Sequence, residues 1–397
     1  MTASAGKHVL IIVENLPVPF DRRVWQEAGT LRRHGFEVSI ICPRTELFPE
    51  RSECIDGINI YRHPLPLEAR GWFGYFVEYS VALFWQTLLS WRIHAKRRVH
   101  VIHACNPPDL IFLVALPFKL LFGVKFVFDH HDLVPELYDA KFGSVFPMQQ
   151  IVLAAERMTF RLADISIATN ESYRQVAISR GKMSPDQVFV VRSGPKIDAF
   201  SIMDGDETLK GRKRFLVGYV GVIGSQEGID HLLRSAAHLV NDMARTDVLF
   251  IVMGKGPALD EMINLRNEMG LTDFVEFPGR VSDEYLCRVL SSTDVCVNPD
   301  VANEMNDRST MNKIMEYMVF GKPIVQYDLT EGRVSAQQAS LYAEPNCPRD
   351  FAKKIAHLLD HPELRTEMGQ YGYTRVRQEL AWQKSEPSLL AAYSRIV

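Results

Sequence analysis

The strongest constraint on this fold is a series of short apolar segments that alternate with helical patterns along the 397 residues. Residues 8–13 are almost continuously apolar, which is typical of a strand buried on both faces of a parallel sheet. A loop with two prolines, a helical pattern that ends at Gly35 and a second apolar segment at 36–42 follow. This order predicts a Rossmann-like unit. The first loop lacks the G-x-G-x-x-G pattern, which argues against dinucleotide binding there.

The same alternation restarts in the second half of the chain. Apolar strands are predicted at residues 215–220, 248–252, 274–277 and 294–297. A loose polar stretch at 193–211 precedes them and has the composition of a linker. We therefore predict an α/β protein made of two Rossmann-like, doubly wound parallel-sheet domains, residues 1–195 and 196–377.

The composition limits the classes of function. With 47% hydrophobic residues and a net charge of −3, we expect a globular protein without a nucleic-acid partner. The six cysteines have no paired short spacing, so neither zinc nor a disulfide framework is indicated, and a reducing cytoplasm is expected. Residues 1–6 contain no apolar core of a signal peptide, and no segment has the apolar length of a bilayer span.

Residues 306–325 contain the most informative stretch of the second half. A polar loop leads into a helical pattern that carries Lys313 and Glu316 in its first turns and ends at Gly321. The amides of a helix N-terminus attract phosphate, and a carboxylate one turn further on can accept hydrogen bonds from a ribose diol. The alternative is a solvated Lys and Glu on an ordinary helix.

Four predicted strand ends in the second half carry glycine, proline or asparagine turns. Gly221 and Gly224 lie in the first of these loops, Gly254 in the second and Arg280 after the third. Glycine lets the backbone approach a ligand closely. Because the carboxyl ends of parallel strands share one edge of a sheet, we expect these loops to face one cleft together with the 306–325 stretch.

Polar residues follow a predicted strand of the first half at 129–136. Two aspartates and two histidines, His131 among them, stand where open α/β sheets place their ligands. Zinc is an alternative, although ligands packed this tightly on a non-helical turn fit tetrahedral geometry poorly. A purely structural role for both histidines is a second alternative.

Residues 75–91 have the pattern of a helix with an apolar arc. Its members are Val77, Val81, Phe84, Trp85, Leu88 and Trp91. Arg92, Lys96, Arg97 and Arg98 follow at once. An aromatic helix with a basic end is typical of peripheral membrane association through 75–98, but a helix packed on a sheet has the same pattern.

The chain resembles the family-4 retaining glycosyltransferases along nearly its whole length. The segments that carry the resemblance are 23–28, 35–38, 131–136, 254–257 and 342–369. The resemblance implies the GT-B architecture, in which two Rossmann-like domains face each other across a cleft. It also implies an acceptor on the N-terminal domain, a nucleotide-sugar donor on the C-terminal domain, and a last helix, about 378–397, that packs back on the first domain.

The resemblance also implies roles for individual residues. His131 matches the histidine near the anomeric centre of the donor sugar, and Glu316 matches the glutamate that holds the ribose. The expected catalytic residues are His131, Arg308 and Lys313. The expected nucleotide-binding residues are Gly221, Gly224, Gly254, Arg280, Val281, Asn312 and Glu316.

Two departures from the family pattern concern charge. The family's first paired glutamate falls at Arg308, and its diphosphate-binding arginine and lysine fall at Val222 and Glu227. A leaving diphosphate needs counter-charge or amide donors. We therefore expect Arg308, Lys313 and the 309–312 amides to replace the missing pair. A degenerate, inactive protein would show the same losses.

The function implied is a retaining, metal-independent transfer of a sugar to a glycan or lipid-linked acceptor in polysaccharide or glycoconjugate biosynthesis. No cofactor is implied, and a UDP-sugar donor is favoured over a GDP-sugar. The protein would be cytoplasmic, at the inner face of the membrane if the 75–98 helix binds lipid. The alternatives are a nucleotide-sugar epimerase of the same fold and a non-catalytic nucleotide-sugar-binding partner protein.

Overall fold

The computed structural model describes residues 6–65, 71–143 and 147–397. It divides into two compact units. The first comprises Met1–Ser193 and Ser385–Val397, and the second comprises Gly194–Lys384. Most of the segment on which the signal-peptide expectation rests, residues 1–5, lies outside the described residues. No helix within the described ranges is long and apolar enough to cross a membrane.

The first unit is built on an eight-stranded sheet. Its strands are β1 (His8–Ile12), β2 (Glu37–Pro43), β3 (Ser52–Ile55), β4 (Ile58–His63), β5 (Val101–Cys105), β6 (Lys125–His130), β7 (Ile165–Ala168) and β8 (Val188–Val190). Their order across the sheet is β3-β4-β2-β1-β5-β6-β7-β8. All neighbours are parallel except the β3–β4 pair. The chain order reverses direction between β1 and β5, which is where open α/β sheets bind ligands.

The helices of the first unit connect these strands. They are α1 (Arg22–Arg33), α2 (Gly71–Lys96), α3 (Phe112–Phe122), α4 (Val134–Phe142), α5 (Met148–Leu162) and α6 (Glu171–Ser179). The predicted cap of α1 is confirmed, because Asp21 accepts a hydrogen bond from the amide of Val24. Gly35, which ends the helical pattern of α1, has the expected left-handed φ of 88°.

The sequence analysis missed the β3–β4 hairpin. Its turn contains Asp56 and Gly57, both with positive φ, which is a strong hairpin pattern. The hairpin closes one edge of the sheet as an antiparallel addition, so the first sheet is mixed rather than wholly parallel.

The second unit has a six-stranded, fully parallel sheet. Its strands are β9 (Phe215–Val220), β10 (Val248–Met253), β11 (Val275–Gly279), β12 (Val295–Asn298), β13 (Ile324–Tyr327) and β14 (Ser340–Ala343). Their order is β11-β10-β9-β12-β13-β14, so the chain reverses direction between β9 and β12. The four strands predicted for this half are therefore neighbours whose carboxyl ends share one edge.

The helices of the second unit cover both faces of its sheet. They are α7 (Ile229–Ala237), α8 (Leu259–Glu268), α9 (Asp283–Ser292), α10 (Glu304–Arg308), α11 (Asn312–Val319), α12 (Thr330–Ala336), α13 (Pro348–Asp360) and α14 (Pro362–Arg375). Two separate apolar clusters lie against the sheet, one that includes Phe250 and Phe351 and one that includes Met315 and Met318. The predicted end of α11 is confirmed, because Gly321 has a φ of 63°.

The last helix, α15 (Trp382–Ser394), contains the boundary between the two units. Its C-terminal part belongs to the first unit, where the ring of Tyr393 lies 5.4 Å from that of Phe36. Tyr393 is fully buried there. The C-terminal segment thus contributes Tyr393 to the core of the first unit.

Candidate functional site

In the second unit, the reversal of strand order between β9 and β12 places a crevice at the carboxyl ends of these strands. Tyr317 of α11 fixes the crevice. Its hydroxyl donates to the carbonyl of Val297 in β12 and accepts from the amide of Val220 in β9. The N-terminus of α11 is therefore held directly at the point where the two strands separate.

The loops that follow β9 and β10 pack against each other mainly through backbone atoms. A Cβ atom on Gly254 would lie 1.8 Å from the carbonyl oxygen of Gly221, and one on Gly256 would lie 2.2 Å from that of Ile223. The backbone amide of Ile223 donates to the backbone carbonyl oxygen of Lys255 (3.1 Å). Glycine is required here because any side chain would force the two loops apart.

Lys313 places an ammonium group in this crevice, where it forms an ion pair with Asp300. Its Nζ lies 2.8 Å from the carboxylate of Asp300, whose side chain is only 1% exposed, and 5.0 Å from the ring centre of Tyr219. Burial raises the pKa of Asp300, while Lys313 acts in the opposite direction. Burial likewise raises the pKa of Glu227, with an opposing effect of Lys313. Lys313 therefore lies among acidic groups as well as beside the glycine loops.

The structure brings three of the predicted site residues together. A Cβ on Gly221 would lie 3.3 Å from Cε of Lys313, and the loop of Gly221 touches Gly254. Sequence reasoning missed Asp300, the partner of Lys313, although it directly follows the Asn298-Pro299 turn at a strand end. A carboxylate at that position is a signal that could have found it.

The other predicted residues of the second unit lie along the same edge. Arg280 and Val281 directly follow β11, and Asn312 and Glu316 lie in the first and second turns of α11. Glu316 is half-buried. A Cβ on Gly224 would lie 2.7 Å from the carboxylate of Glu227.

Arg308 is the last residue of α10 and differs from Lys313 in its surroundings. Its Nη2 lies 2.8 Å from the carboxylate of Glu304, and 35% of the Arg308 side chain and 66% of the Glu304 side chain are exposed. A partly exposed ion pair of this kind is weaker than a buried one and is screened by salt.

The N-terminus of α11 completes the crevice. Its N-cap residue, Met311, makes no side-chain capping hydrogen bond. The first amides of α11 thus have no side-chain acceptor at the cap, and together with Lys313 they form a place where an anion can bind.

In the first unit, a second polar cluster lies at the carboxyl end of β6, around the buried carboxylate of Asp129. Arg23 Nη2 donates to its Oδ1 (2.8 Å). The Nε2 atoms of His103 and His131 lie 3.2 and 2.6 Å from its Oδ2. Of these side chains, His131 is the most exposed at 15%, compared with 8% for Arg23.

The charges of this cluster follow from its burial. Although burial alone would raise the pKa of Asp129, Arg23 and His131 hold it well below its usual range. Burial raises the pKa of Glu27 well above its usual range, and burial lowers the pKa of His103. The buried core of the cluster is therefore an Arg23–Asp129 ion pair, with the carboxyl group of Glu27 3.1 Å from Arg23 Nη2 and with burial favouring the neutral form of His103.

The backbone of His131 is fixed by a separate residue. The side chain of Asn106, which follows β5, accepts hydrogen bonds from the amides of His131 (2.7 Å) and Asp132 (3.1 Å). Its amide group also donates to the carbonyl of Asp132. Sequence reasoning identified His131 but missed Arg23, Asn106 and Asp129 as its supports.

The same cluster offers candidate metal ligands. His103, Cys105 and Asp129, and also Glu27, Asp129 and His131, present ligand atoms within 4.8 Å of one another. However, the guanidinium of Arg23 already neutralises Asp129 at 2.8 Å. This arrangement favours a protein cation over a metal ion.

Two family models match the chain. The model described as "Glycosyl transferase 4-like domain" matches residues 21–194. The model described as "Glycosyl transferases group 1" matches residues 214–361. The first match lies almost entirely in the first unit and the second lies within the second unit.

Curated relatives match in part of their length. A 2-deoxystreptamine glucosyltransferase from Streptomyces kanamyceticus is 27% identical over 187 residues, 46% of this chain and 46% of the relative. An alpha-D-kanosaminyltransferase from the same organism is 28% identical over 159 residues, 40% of this chain and 39% of the relative. The matched region thus spans less than half of either relative.

Solved structures match over nearly the whole chain. Sucrose-phosphate synthase from Thermosynechococcus elongatus superimposes with a TM-score of 0.80 at 19% identity, covering 98% of both chains. HepE from Anabaena, in complex with UDP-glucose, superimposes with a TM-score of 0.74 at 14% identity, covering 98% of this chain and 99% of that one. At these identities the likeness shows the fold.

The buried Lys313–Asp300 pair generates a prediction about stability. Lys313→Met leaves a buried carboxylate without its cation, and we expect it to lower the free energy of unfolding by about 3–5 kcal/mol, as breaking a buried pair does. The double variant Lys313→Met/Asp300→Asn should recover most of this loss. Urea denaturation of the wild type, the single variant and the double variant measures the three free energies of unfolding. Equal stability of the single variant and the wild type would contradict the pairing.

Proposed function

We propose that this chain, which belongs to the family-4-like glycosyltransferases of the GT-B fold, transfers a sugar from a nucleotide-sugar donor to a glycan or lipid-linked acceptor. The observation that carries the proposal is the crevice between β9 and β12. There the glycine loops, Lys313 and the open N-terminus of α11 meet at a strand reversal. These are the elements that hold a diphosphate.

The donor we propose is a UDP-sugar. The HepE structures that share this fold contain UDP and UDP-glucose. In this chain, Glu316 lies one turn along α11 from the open amides, at a distance that suits the ribose of a nucleotide whose diphosphate lies at the helix N-terminus. Arg280 and Val281, at the end of β11, are proposed to lie near the base.

The reaction we propose is retaining and uses no protein base. The leaving diphosphate accepts the proton of the acceptor hydroxyl on the same face of the sugar. The protein then contributes positioning and charge, and Lys313, the α11 amides and Arg308 would stabilise the diphosphate as negative charge develops on it. We propose that the transfer is metal-independent.

Asp300 bears on how Lys313 performs this role. Because the ammonium is shared with a buried carboxylate, a bound diphosphate must compete with Asp300. Burial raises the pKa of Asp300, so its protonation is one route by which Lys313 would be released to the diphosphate. The pair would hold Lys313 in place before the donor arrives.

Asp129, one of the carboxylates that an epimerase could use, is poorly suited to that role. An epimerase needs a carboxylate that can exchange protons with the sugar. Asp129 is fully buried and accepts from Arg23, His103 and His131, which makes it a poor base. The same geometry suits a histidine that binds the sugar, and we propose this role for His131.

An exposed surface of the first unit suggests how a lipid-linked acceptor would be reached. The buried side of α2 is formed by Ala82, Gln86 and Ile93. Part of the predicted arc instead faces solvent, and its exposed members are Val77, Phe84, Leu88 and Trp91. The arc therefore does not simply cover the sheet, which was the alternative interpretation.

Helix α3 extends this surface. The ring of Trp91 lies 5.7 Å from that of Phe122, so the exposed side of α2 continues onto α3. Leu120 is 75% exposed and Leu121 is 66% exposed. Arg92, Lys96 and Arg98 are exposed at the adjoining end of α2. Apolar side chains beside exposed cations fit the surface of an anionic bilayer, and we propose peripheral membrane association through this two-helix surface.

A donor screen followed by a transfer assay tests the proposed function. Thermal shifts with UDP-, GDP- and ADP-sugars identify the donor, because a ligand raises stability only if it binds the folded state. The selected donor is then incubated with lipid-linked and soluble glycan acceptors. Transfer of the sugar supports the proposal. Interconversion of the donor without acceptor would identify an epimerase, and binding without turnover would identify a non-catalytic protein.

Glu316→Gln should weaken nucleotide binding. A hydrogen bond to a charged group contributes roughly 1.5–3 kcal/mol, which corresponds to an increase in Kd of roughly 10- to 150-fold. Titration calorimetry with UDP measures the change. Glu363→Gln, in the first turn of α14 in the same unit, is the matched control and should not alter Kd. An unchanged Kd for Glu316→Gln would show that its carboxylate does not bind the ribose.

Flotation with anionic vesicles tests the two-helix surface. The purified protein should float with phosphatidylglycerol vesicles at low salt, and less so as salt rises, because each basic residue contributes about 1 kcal/mol near an anionic surface. Phe84→Ser/Leu120→Ser should abolish flotation. Ile151→Ser, which removes an exposed apolar side chain elsewhere in the unit, should not. A wild type that stays at the bottom of the gradient at low salt contradicts the membrane proposal.

A further inference from the structure

The neighbours of His131 determine which nitrogen of its neutral ring carries the proton. Its Nε2 lies 2.6 Å from Asp129 Oδ2 and 3.0 Å from Nε of Arg23. Nε2 cannot both donate to the carboxylate and accept from the guanidinium. The proton of the ring is therefore on Nε2 in one arrangement and on Nδ1 in the other.

The distances favour a proton on Nε2. The contact with Asp129 has the short length of a charge-assisted hydrogen bond, while the contact with Arg23 is of ordinary length. Nε of Arg23 also has a second acceptor, because it lies 3.3 Å from Asp129 Oδ2. With Nε2 protonated, both side chains donate to the same buried carboxylate and no donor lacks an acceptor.

The other ring nitrogen, Nδ1, is then unprotonated and can accept a hydrogen bond. Nδ1 of His131 makes no hydrogen bond with the residues that the structure describes, and the side chain is 15% exposed. A neutral imidazole that carries its proton on Nε2 offers Nδ1 as an acceptor. A sugar hydroxyl can donate to that nitrogen.

We propose that Asp129 is a positioning residue that keeps the proton of His131 on Nε2, so that Nδ1 accepts a hydroxyl hydrogen bond from the donor sugar. This inference rests on the proposed function and extends it to groups below the surface. Arg23 keeps Asp129 charged, and Asn106 fixes the backbone of His131. Arg23 and Asp129, which lie 106 residues apart in sequence, thus belong to one hydrogen-bonded network.

The C-terminal helix supplies the other side of the same network. The hydroxyl of Tyr393 lies 2.8 Å from Nδ1 of His103, and Nε2 of His103 lies 3.2 Å from Asp129 Oδ2. His103 is neutral, since burial lowers its pKa. A hydroxyl that donates to Nδ1 leaves the proton of His103 on Nε2, where it donates to Asp129. Asp129 is thus saturated with donors from three directions, which fixes its orientation.

Nuclear magnetic resonance of the full chain with ¹⁵N-labelled histidine tests the proposal directly. A His131→Gln variant identifies the His131 resonances among the twelve histidines. In the wild type at a pH where the ring is neutral, we expect a protonated Nε2 and an unprotonated Nδ1. A wild type with the proton on Nδ1 overturns the proposal, whatever happens to any variant.

Asp129→Asn provides the second measurement. The asparagine can keep its oxygen toward Arg23 and turn its amide group toward His131, which makes Nε2 an acceptor and moves the ring proton to Nδ1. We expect the resonances of His131 to change to that tautomer. We also expect kcat to fall about tenfold or more, with a smaller change in the KM for the donor.

Tyr393→Phe is the matched control. It removes a buried hydroxyl from the same network but leaves the Asp129–His131 contact in place. We expect the resonances of His103 to change and the tautomer of His131 to stay. If Asp129→Asn folds and leaves both the tautomer of His131 and kcat unchanged, Asp129 does not position the ring. Because the tautomers are measured without substrate, failure to detect transfer would reject the proposed function and not this result.

Discussion

A parallel strand that is buried on both faces carries mostly apolar side chains, so its polar groups lie mainly at or near its ends, and this constraint organises both units. In each sheet, the candidate site residues lie at or just after the carboxyl ends of the strands. Asp129 and His131 follow this rule in the first unit, and Gly221 and Asp300 follow it in the second. The reversal of strand order then separates two adjacent ends, between β1 and β5 and between β9 and β12, and makes space for a ligand.

The charges at these strand ends are compensated before any ligand binds. Lys313 is paired with Asp300, and Arg23 with Asp129. In both pairs the carboxylate is almost fully buried, so neither cation can be removed without a large cost in stability. The two pairs differ in function as we propose it: Lys313 exchanges its partner for a diphosphate, whereas Arg23 stays on Asp129 and orients a neighbour.

Much of the fold could be predicted from the sequence because it depends on local patterns. Apolar runs located the principal strands, and Asp21, Gly35 and Gly321 marked helix ends that the structure confirms. The pairing of charges could not be predicted in this way. Arg23 and Asp129 are 106 residues apart, and only the sheet brings them together. Lys313 was predicted to be a cation facing a cleft, and its pairing with Asp300 depends on the reach of one side chain.

The surface of α2 shows a different limit. Its apolar pattern fits a helix on a sheet and a helix on a membrane equally well, because both require one apolar side. In the structure Ala82 and Ile93 are buried in the unit, whereas Phe84 and Leu88 face solvent. Exposure of an apolar side chain depends on what the rest of the chain covers, which a local pattern does not contain.

The central claim is that the crevice between β9 and β12 binds a diphosphate through Lys313. The most direct measurement compares the affinities of UDP and uridine for the double variant Lys313→Met/Asp300→Asn and for a control, Lys210→Met/Asp294→Asn, which neutralises another largely buried pair of the same unit. The ratio of the two affinities isolates the diphosphate. We predict that this ratio falls at least tenfold in the first variant and stays at the wild-type value in the control. An equal ratio in all three proteins would contradict the claim.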